Sequence, residues 1–140
     1  MIAYLDASVL VALFTRDAFT DRATRFLRTQ QPVVLVSDFA AAEFASAVAR
    51  LSRMREISLD EAHALLRDFD LWRLRATQEA ATMSVDVAAA ASYLRRLDLP
   101  LRTADAINIA IAQRLDASLA TFDVKMAASA RILGAELADP

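Results

Sequence analysis

Cysteine is absent from the 140-residue sequence, and histidine occurs once. Without cysteine the chain can form no disulfide bond, no thiolate metal site and no cysteine nucleophile. The one histidine, His63, has no second histidine or acid at a spacing that favours zinc, so we interpret it as a surface or packing residue. Neither a zinc site nor catalysis by a thiol or an imidazole therefore has a basis in this sequence.

A strong charge of one sign is also lacking. The formal net charge is -2 at pH 7, which gives no overall attraction to nucleic acid, so any binding site for a polyanion must be a local patch. Lysine is nearly absent, because only Lys125 among the 16 basic residues is a lysine. Arginine suits phosphate binding, but an arginine-rich composition can equally reflect the base composition of a genome.

No hydrophobic run is long enough to cross a bilayer. The apolar segment Ile2–Phe14 is too short and contains Asp6, and the N-terminus lacks the basic region and cleavage site of a signal peptide. We therefore expect a soluble, cytoplasmic protein with no membrane partner. The chain is 56% hydrophobic, which is enough for a well-packed core, and we expect a single domain spanning residues 1–140.

Short apolar runs alternate with longer segments of helical pattern along the chain. Strands are predicted at Ile2–Leu5, Val33–Val36, Thr82–Val85, Ala117–Phe122 and Ala135–Ala138. Helices are predicted at Ala7–Phe14, Asp21–Gln30, Phe39–Leu51, Ser58–Ala76, Asp86–Leu97, Thr103–Leu115 and Val124–Leu133, and Ser37 or Asp38 is the predicted cap of the third. This order predicts an α/β domain with a mostly parallel sheet.

Two of the predicted helices carry unusual apolar sets. Within the segment Leu101–Gln113, Thr103 is the predicted helix cap and the residues after it are apolar on nearly every side, which predicts a buried helix. Bulky side chains in Ser58–Ala76 are typical of a core but also of a helical arm that binds a partner, and the sequence does not separate these interpretations. They are Leu65, Leu66, Phe69, Trp72 and Leu74.

Four acidic residues have positions that a parallel sheet would bring together. Asp6 and Asp123 directly follow predicted strands, Glu43 lies about one and a half turns into the helix after the second strand, and Asp105 lies in the first turn of its helix. Because strand ends and the helix starts that follow them share one edge of such a sheet, we expect the four carboxylates to meet there. Taken alone, Asp105 can simply favour helix initiation, and Glu43 can simply be a solvent-facing helix former.

A cluster of four carboxylates requires compensation. Their mutual repulsion would amount to several kcal/mol in a partly dry cleft unless protons or a cation offset it. Because the donors are oxygens only, the expected cation is Mg²⁺ or Mn²⁺ and not zinc. A hard dication held by carboxylates leaves coordination positions for water and for phosphate oxygens, so the pattern predicts metal-assisted phosphodiester hydrolysis.

Four segments in register also resemble a known family. They are Y-L-D-A-S-V-L-V-A-L from Tyr4, D-F-A-A-A-E-F from Asp38, T-A-D-A-I-N-I-A-I-A from Thr103 and L-A-T-F-D-V-K-M from Leu119. Each segment alone is a weak signal, but together they cover essentially the whole chain. In order and spacing the sequence resembles the PIN-domain ribonucleases, and among them the VapC toxins of toxin–antitoxin pairs.

The resemblance implies a PIN-like fold of three layers, with four to five short strands in the central sheet. It implies a magnesium- or manganese-dependent endoribonuclease that cuts structured RNA, forms a homodimer and is inhibited by a cognate antitoxin. The family pattern puts the metal-binding and catalytic carboxylates on Asp6, Glu43, Asp105 and Asp123, and supporting polar groups on Ser8, Thr103, Asn108 and Thr121. Basic residues near the same edge can contact substrate phosphate or be ordinary surface charges, namely Arg16, Arg102 and Lys125.

Other interpretations of the early Asp6 are weaker. A phosphatase that forms an aspartyl phosphate typically has a second aspartate two positions later, where this chain has Ser8. A phospho-acceptor receiver domain would have a pair of early acids, which is missing. The alternatives that remain are a PIN-like module that binds a basic partner without catalysis and a housekeeping nuclease for RNA processing.

Overall fold

The computed structural model of residues 1–140 contains five strands and seven helices. The strands are β1 (Ile2–Leu5), β2 (Val33–Ser37), β3 (Gln78–Ala80), β4 (Ser118–Ala120) and β5 (Leu137–Ala138). The helices are α1 (Ala7–Phe14), α2 (Thr20–Gln30), α3 (Asp38–Arg53), α4 (Leu59–Ala76), α5 (Ser84–Leu94), α6 (Thr103–Arg114) and α7 (Val124–Ile132). No helix combines the length and the apolarity that crossing a bilayer would require.

All five strands are parallel and form one sheet in the order β3-β2-β1-β4-β5. The central strand β1 pairs with β2 on one side and β4 on the other, with Tyr4 opposite Leu35 and Leu119. A parallel sheet is normally covered by helices on both faces, and the last three residues of β1 are accordingly fully buried. The predicted α/β fold with a parallel sheet of four to five strands is confirmed. Its strands all end at the same edge.

Helix α6 is buried along its length, as its composition predicts. Every residue from 106 to 112 is buried, including the polar Asn108. The predicted cap was wrong, however, because Arg102 is the N-cap residue and Thr103 is already the first residue of the helix. The carboxylate of Asp105 accepts the N–H of Arg102 at 3.0 Å, so an acid inside the first turn, not the hydroxyl before it, satisfies a free amide there.

The third strand is not where the sequence predicts it. The predicted strand Thr82–Val85 was wrong, because the strand is formed by Gln78–Ala80 and helix α5 already begins at Ser84. Asp38 accepts hydrogen bonds from both the N–H and the hydroxyl group of Thr82, and Asp86 accepts the N–H of Met83 at 2.8 Å. The side chains of Asp38 and Asp86 therefore occupy backbone N–H groups that a strand would need for pairing with its neighbour.

The bulky apolar set of α4 divides between core and surface. Phe69 is buried, and its ring lies 5.5 Å from that of Phe14 and 4.2 Å from that of Phe44. Trp72 is partly buried against the same core, whereas Leu74 is 76% exposed. This aromatic packing joins α4 to α1 and to α3, the helix that carries Glu43, so the core interpretation holds for Phe69 and Trp72.

A buried ion pair joins α5 to the end of α6. Asp86 is only 1% exposed, and Arg114 donates to its two oxygens at 2.7 and 2.9 Å and to the carbonyl of Ala81 at 2.8 Å. Burial by itself would raise the pKa of Asp86, but the hydrogen bonds and charge of Arg114 outweigh it and hold that pKa below its ordinary value. The pair therefore stabilises the fold above the unfolded-state pKa of about 4, and this contribution is lost as the pH falls.

Removing the arginine should leave a buried carboxylate without its partner. We expect Arg114→Met to lower the free energy of unfolding by about 3 kcal/mol at pH 7, and we expect this difference to narrow as the pH falls below about 4 and through the lowered folded-state pKa of Asp86. Urea denaturation at pH 7 and below pH 4 measures the difference between the variant and the wild type. The control is Arg96→Met, which breaks the solvent-exposed pair with Asp98 and should cost much less. Equal losses in the two variants would contradict a special role for the buried pair.

Candidate active site

Three of the four predicted acids lie at helix N-termini. Asp6 directly follows β1 and accepts the N–H of Val9 at 3.2 Å in α1. Asp123 follows β4 and accepts the N–H of Met126 at 3.0 Å in α7, and Asp105 lies in the first turn of α6. Free amides and the helix dipole stabilise an ionised carboxylate at such positions. The chain thereby holds several negative charges where parallel strands end.

The charges of Asp6 and Asp105 act on Glu43, and Asp105 shares a cavity with Asp123; we call these four carboxylates the acidic rim. Burial raises the pKa of Glu43; the hydrogen bond from Asn108 opposes this, and the negative charges of Asp6 and Asp105 raise it further. Asp105 and Asp123 line one open cavity of about 490 Å³. No three acidic or histidine side chains are close enough together to hold one ion as they stand. The acids are neighbours at one edge of the sheet but not a closed cage.

Asp6 is the most constrained member of the acidic rim. It is 5% exposed, and the hydroxyls of Ser8 and Thr121 each donate to one of its oxygens at 2.6 Å. Burial raises its pKa although these hydrogen bonds lower it. Ser8 in turn accepts the N–H of Phe122 at 2.9 Å, and Thr121 accepts that of Asp123 at 3.0 Å. Two hydroxyls thus connect Asp6 to the backbone between β4 and α7.

A buried chain of hydrogen bonds ends at Glu43. The hydroxyl of Tyr4 in β1 lies 2.6 Å from the hydroxyl of Ser37 and donates to Oδ1 of Asn108 at 2.6 Å. The Nδ2 of Asn108 then donates to Oε1 of Glu43 at 2.6 Å and to the carbonyl of Ala104 at 3.1 Å. Burial raises the pKa of Tyr4, so its hydroxyl stays protonated and remains a donor. This chain fixes which oxygen of Glu43 is occupied.

Sequence reasoning missed Tyr4 and Ser37 as parts of this chain. Tyr4 was assigned only to a buried apolar strand, and Ser37 only to a helix cap. The cap function is present, because Ser37 accepts the N–H of Ala40 at 2.9 Å. One signal was available: Tyr4 carries the only polar side-chain atom in a strand that is otherwise aliphatic, and a buried tyrosine hydroxyl normally has a partner.

The remaining predicted residues do not share one location. Arg102 and Lys125 line the same cavity as Asp105 and Asp123. Arg16 instead lines a separate cavity of about 650 Å³ that contains none of the acidic rim, so the structure does not bring it to the site. Thr103 is exposed at the start of α6.

The donor set of the acidic rim fits a hard divalent cation. One oxygen of Glu43, one of Asp105 and one of Asp123 accepts a hydrogen bond, which leaves the second oxygen of each carboxylate available. Arg102 approaches Asp105 only to 3.8 Å and is largely exposed, so it is a weak competitor for that carboxylate. Carboxylate oxygens without sulfur or imidazole are the ligands that Mg²⁺ and Mn²⁺ prefer.

Comparison with known proteins identifies related chains. The family model described as PIN domain matches residues 3–132. Ribonuclease VapC46 of Mycobacterium tuberculosis (strain ATCC 25618 / H37Rv) is 33% identical over 140 residues, which cover 98% of this chain and 96% of that protein.

Two solved structures have similar folds. VapC20 of Mycobacterium tuberculosis, a Sarcin-Ricin loop cleaving toxin, has a TM-score of 0.75 at 22% identity and 99% coverage of both chains. VapBC2 of Rickettsia felis, bound to a DNA fragment from their promoter, has a TM-score of 0.70 at 15% identity, covering 99% of this chain and 98% of that one.

Neutralising Glu43 should stabilise the metal-free protein. Because its pKa is raised on folding, its charge opposes folding above the unfolded-state value of about 4.3 and has no effect well below it. We expect Glu43→Gln to raise the melting temperature by a few degrees at pH 7.5 in the presence of EDTA and to leave it unchanged near pH 3.5. The exposed Glu56→Gln is the control. A melting temperature at pH 7.5 that stays the same or falls would contradict repulsion within the acidic rim.

Proposed function

Because the chain belongs to the PIN-domain family, we propose that it is a metal-dependent endoribonuclease and the toxin of a VapBC-type toxin–antitoxin pair. The observation that carries this proposal is the acidic rim, in which carboxylates from four separate segments lie along one edge of a parallel sheet. The similarity to a protein named a ribonuclease, over nearly the whole of both chains, supports the same activity.

The acidic rim is the proposed metal site. Asp6 and Asp105 are the main ligands, Asp123 is a further ligand, direct or through water, and Glu43 is a ligand or orients the attacking water. When bound, Mg²⁺ or Mn²⁺ would supply Lewis-acid activation of the phosphodiester and of that water. A PIN-like module that only bound a basic partner would have no need for a buried carboxylate as tightly positioned as Asp6.

The other polar residues position these carboxylates. Ser8 and Thr121 hold both oxygens of Asp6 through hydrogen bonds of 2.6 Å, so its orientation does not depend on the ion. Asn108 occupies one oxygen of Glu43 and leaves the other free to face water. The raised pKa of Glu43 moves this carboxylate toward the range in which it can accept a proton from water. Glu43 is therefore our candidate for orienting the nucleophile.

The proposed substrate is structured RNA. Arg102 and Lys125 line the cavity of Asp105 and Asp123, where they can contact phosphate oxygens on either side of the scissile bond. Their positive charges offset part of the repulsion between the acidic rim and a polyanion. The solved relative VapC20 is named for cleaving the sarcin-ricin loop, which supports a folded RNA as the substrate class.

The proposed protein partners are a cognate antitoxin and a second copy of the chain. The resemblance to VapC toxins supports both, and the fold is shared with VapBC2 of Rickettsia felis. A basic side chain from an antitoxin, placed among the four carboxylates, would compete directly with the cation. Inhibition of this kind should weaken as the concentration of Mg²⁺ or Mn²⁺ rises.

Loss of single carboxylates tests the proposed activity. We expect the antitoxin-free protein to cleave a fluorogenic RNA with Mg²⁺ or Mn²⁺ but not with EDTA. Asp6→Asn and Asp105→Asn should each lower the rate by about 100-fold or more, because they remove a ligand charge, while the melting temperature shows that the variants remain folded. The exposed Asp70→Asn serves as the matched control. Cleavage at the wild-type rate by both site variants would refute the site assignment.

A further inference from the structure

Two phenylalanine rings and an arginine form a cluster that includes Phe122, the residue directly before Asp123 of the acidic rim. The rings of Phe19 and Phe122 are stacked with centroids 4.5 Å apart and planes inclined by 13°. The guanidinium carbon of Arg22 lies 5.3 Å from the centroid of Phe122 and 5.9 Å from that of Phe19. We call these three residues the aromatic cluster.

The aromatic cluster is built on the same backbone as the acidic rim. Phe122 lies between Thr121, which donates to Asp6, and Asp123. Its own N–H donates to Ser8, the other hydroxyl that holds Asp6. Adjacent Cα atoms are about 3.8 Å apart, so the backbone of Phe122 is one residue from two parts of the site. The aromatic cluster is thereby attached to the segment between β4 and α7 that also carries Asp123.

Phe19 is poorly explained by the fold alone. It occupies the N-cap position of α2, where a side-chain oxygen normally accepts a free amide, and it makes no such hydrogen bond. It is also 38% exposed although its ring is stacked on Phe122. The carboxylate of Asp17 accepts the N–H of Phe19 at 2.7 Å, so the start of the helix does not need the side chain of Phe19, which leaves part of an aromatic surface in solvent.

A flat apolar ring with a guanidinium beside it matches the chemistry of an unpaired nucleobase. Every base has a π-face that can stack on an aromatic side chain, and arginine adds cation–π attraction and contacts to phosphate. Bases inside a duplex are already stacked on their neighbours, so a surface of this chemistry suits bases in loops and single strands. The ion pair of Arg22 with Asp139 is solvent-exposed and weak, so the guanidinium remains available to contact RNA.

We propose that the aromatic cluster is a stacking subsite for an unpaired nucleobase of the RNA, next to the phosphodiester that the acidic rim cleaves. The subsite deepens the proposed ribonuclease function and rests on it. It makes Phe19 and Arg22 determinants of substrate choice that act through binding and not through the chemical step.

Variants of Phe19 separate ring stacking from apolar packing. Phe19→Leu keeps apolar bulk but removes the flat face, and Phe19→Tyr keeps both. For a loop-containing RNA, we expect Phe19→Leu to raise KM by about tenfold with little change in kcat, and Phe19→Tyr to resemble the wild type. Arg22→Gln, which leaves the two rings in place, should also raise KM. Leu97→Ala, at a 90% exposed residue, is the control.

An abasic substitution in the RNA shows whether the ring and a base contact each other. Removing single bases on either side of the cleavage site should weaken wild-type binding at one position, measured by fluorescence anisotropy with Ca²⁺ in place of Mg²⁺. With RNA that is abasic at that position, Phe19→Leu should bind no more weakly than the wild type does. If the losses of binding caused by the abasic substitution and by Phe19→Leu simply add, or if Phe19→Leu has the KM of the wild type, the subsite is refuted and Phe19 has a purely structural role.

The two proposals fail in different ways. If the wild type cleaves RNA and Phe19→Leu has the same KM, the ribonuclease function is supported and the subsite is refuted. If the wild type never cleaves RNA but binds it with the expected coupling between Phe19 and the missing base, the subsite is supported and the ribonuclease function is refuted. A wild-type protein that neither binds nor cleaves RNA overturns both.

Discussion

The burial of carboxylates at one edge of the sheet, with added repulsion at Glu43, is the constraint on which this structure depends. Four segments far apart in sequence bring Asp6, Glu43, Asp105 and Asp123 to one edge of a parallel sheet, where burial or neighbouring negative charge raises the pKa of Asp6 and Glu43. Helix amides and hydroxyl donors reduce this cost but do not remove it. This cost at Asp6 and Glu43 supports the proposal that the acidic rim binds a cation.

Much of the remaining structure fixes where these acids point. The hydrogen-bond chain from Tyr4 through Asn108 joins the central strand to α6 and ends on Glu43, while the ring of Phe44 anchors the same helix α3 in the aromatic core. The buried pair of Asp86 and Arg114 holds α5 against the end of α6. Stability and site geometry therefore rest on the same helices, since the core of α3 and α6 cannot shift without moving a carboxylate.

The sequence was sufficient to predict the features that depend on local pattern. Apolar runs identified four of the five strands, and an acid at the end of a strand predicted the neighbourhood of Asp6 and Asp123. Features that depend on distant contacts were missed. The third strand was wrong because Asp38, far away in the chain, binds Thr82, and nothing local indicated that Tyr4 would reach Asn108 or that Phe19 would stack on Phe122.

The central claim is that the acidic rim is a binding site for a hard cation, and locating that cation tests it most directly. Crystals of the antitoxin-free protein grown with Mn²⁺, measured near the manganese absorption edge, would give an anomalous difference map. The account predicts a peak coordinated by oxygens of Asp6 and Asp105 together with Glu43 or Asp123. Well-ordered manganese bound elsewhere, with none among these four carboxylates, would contradict it.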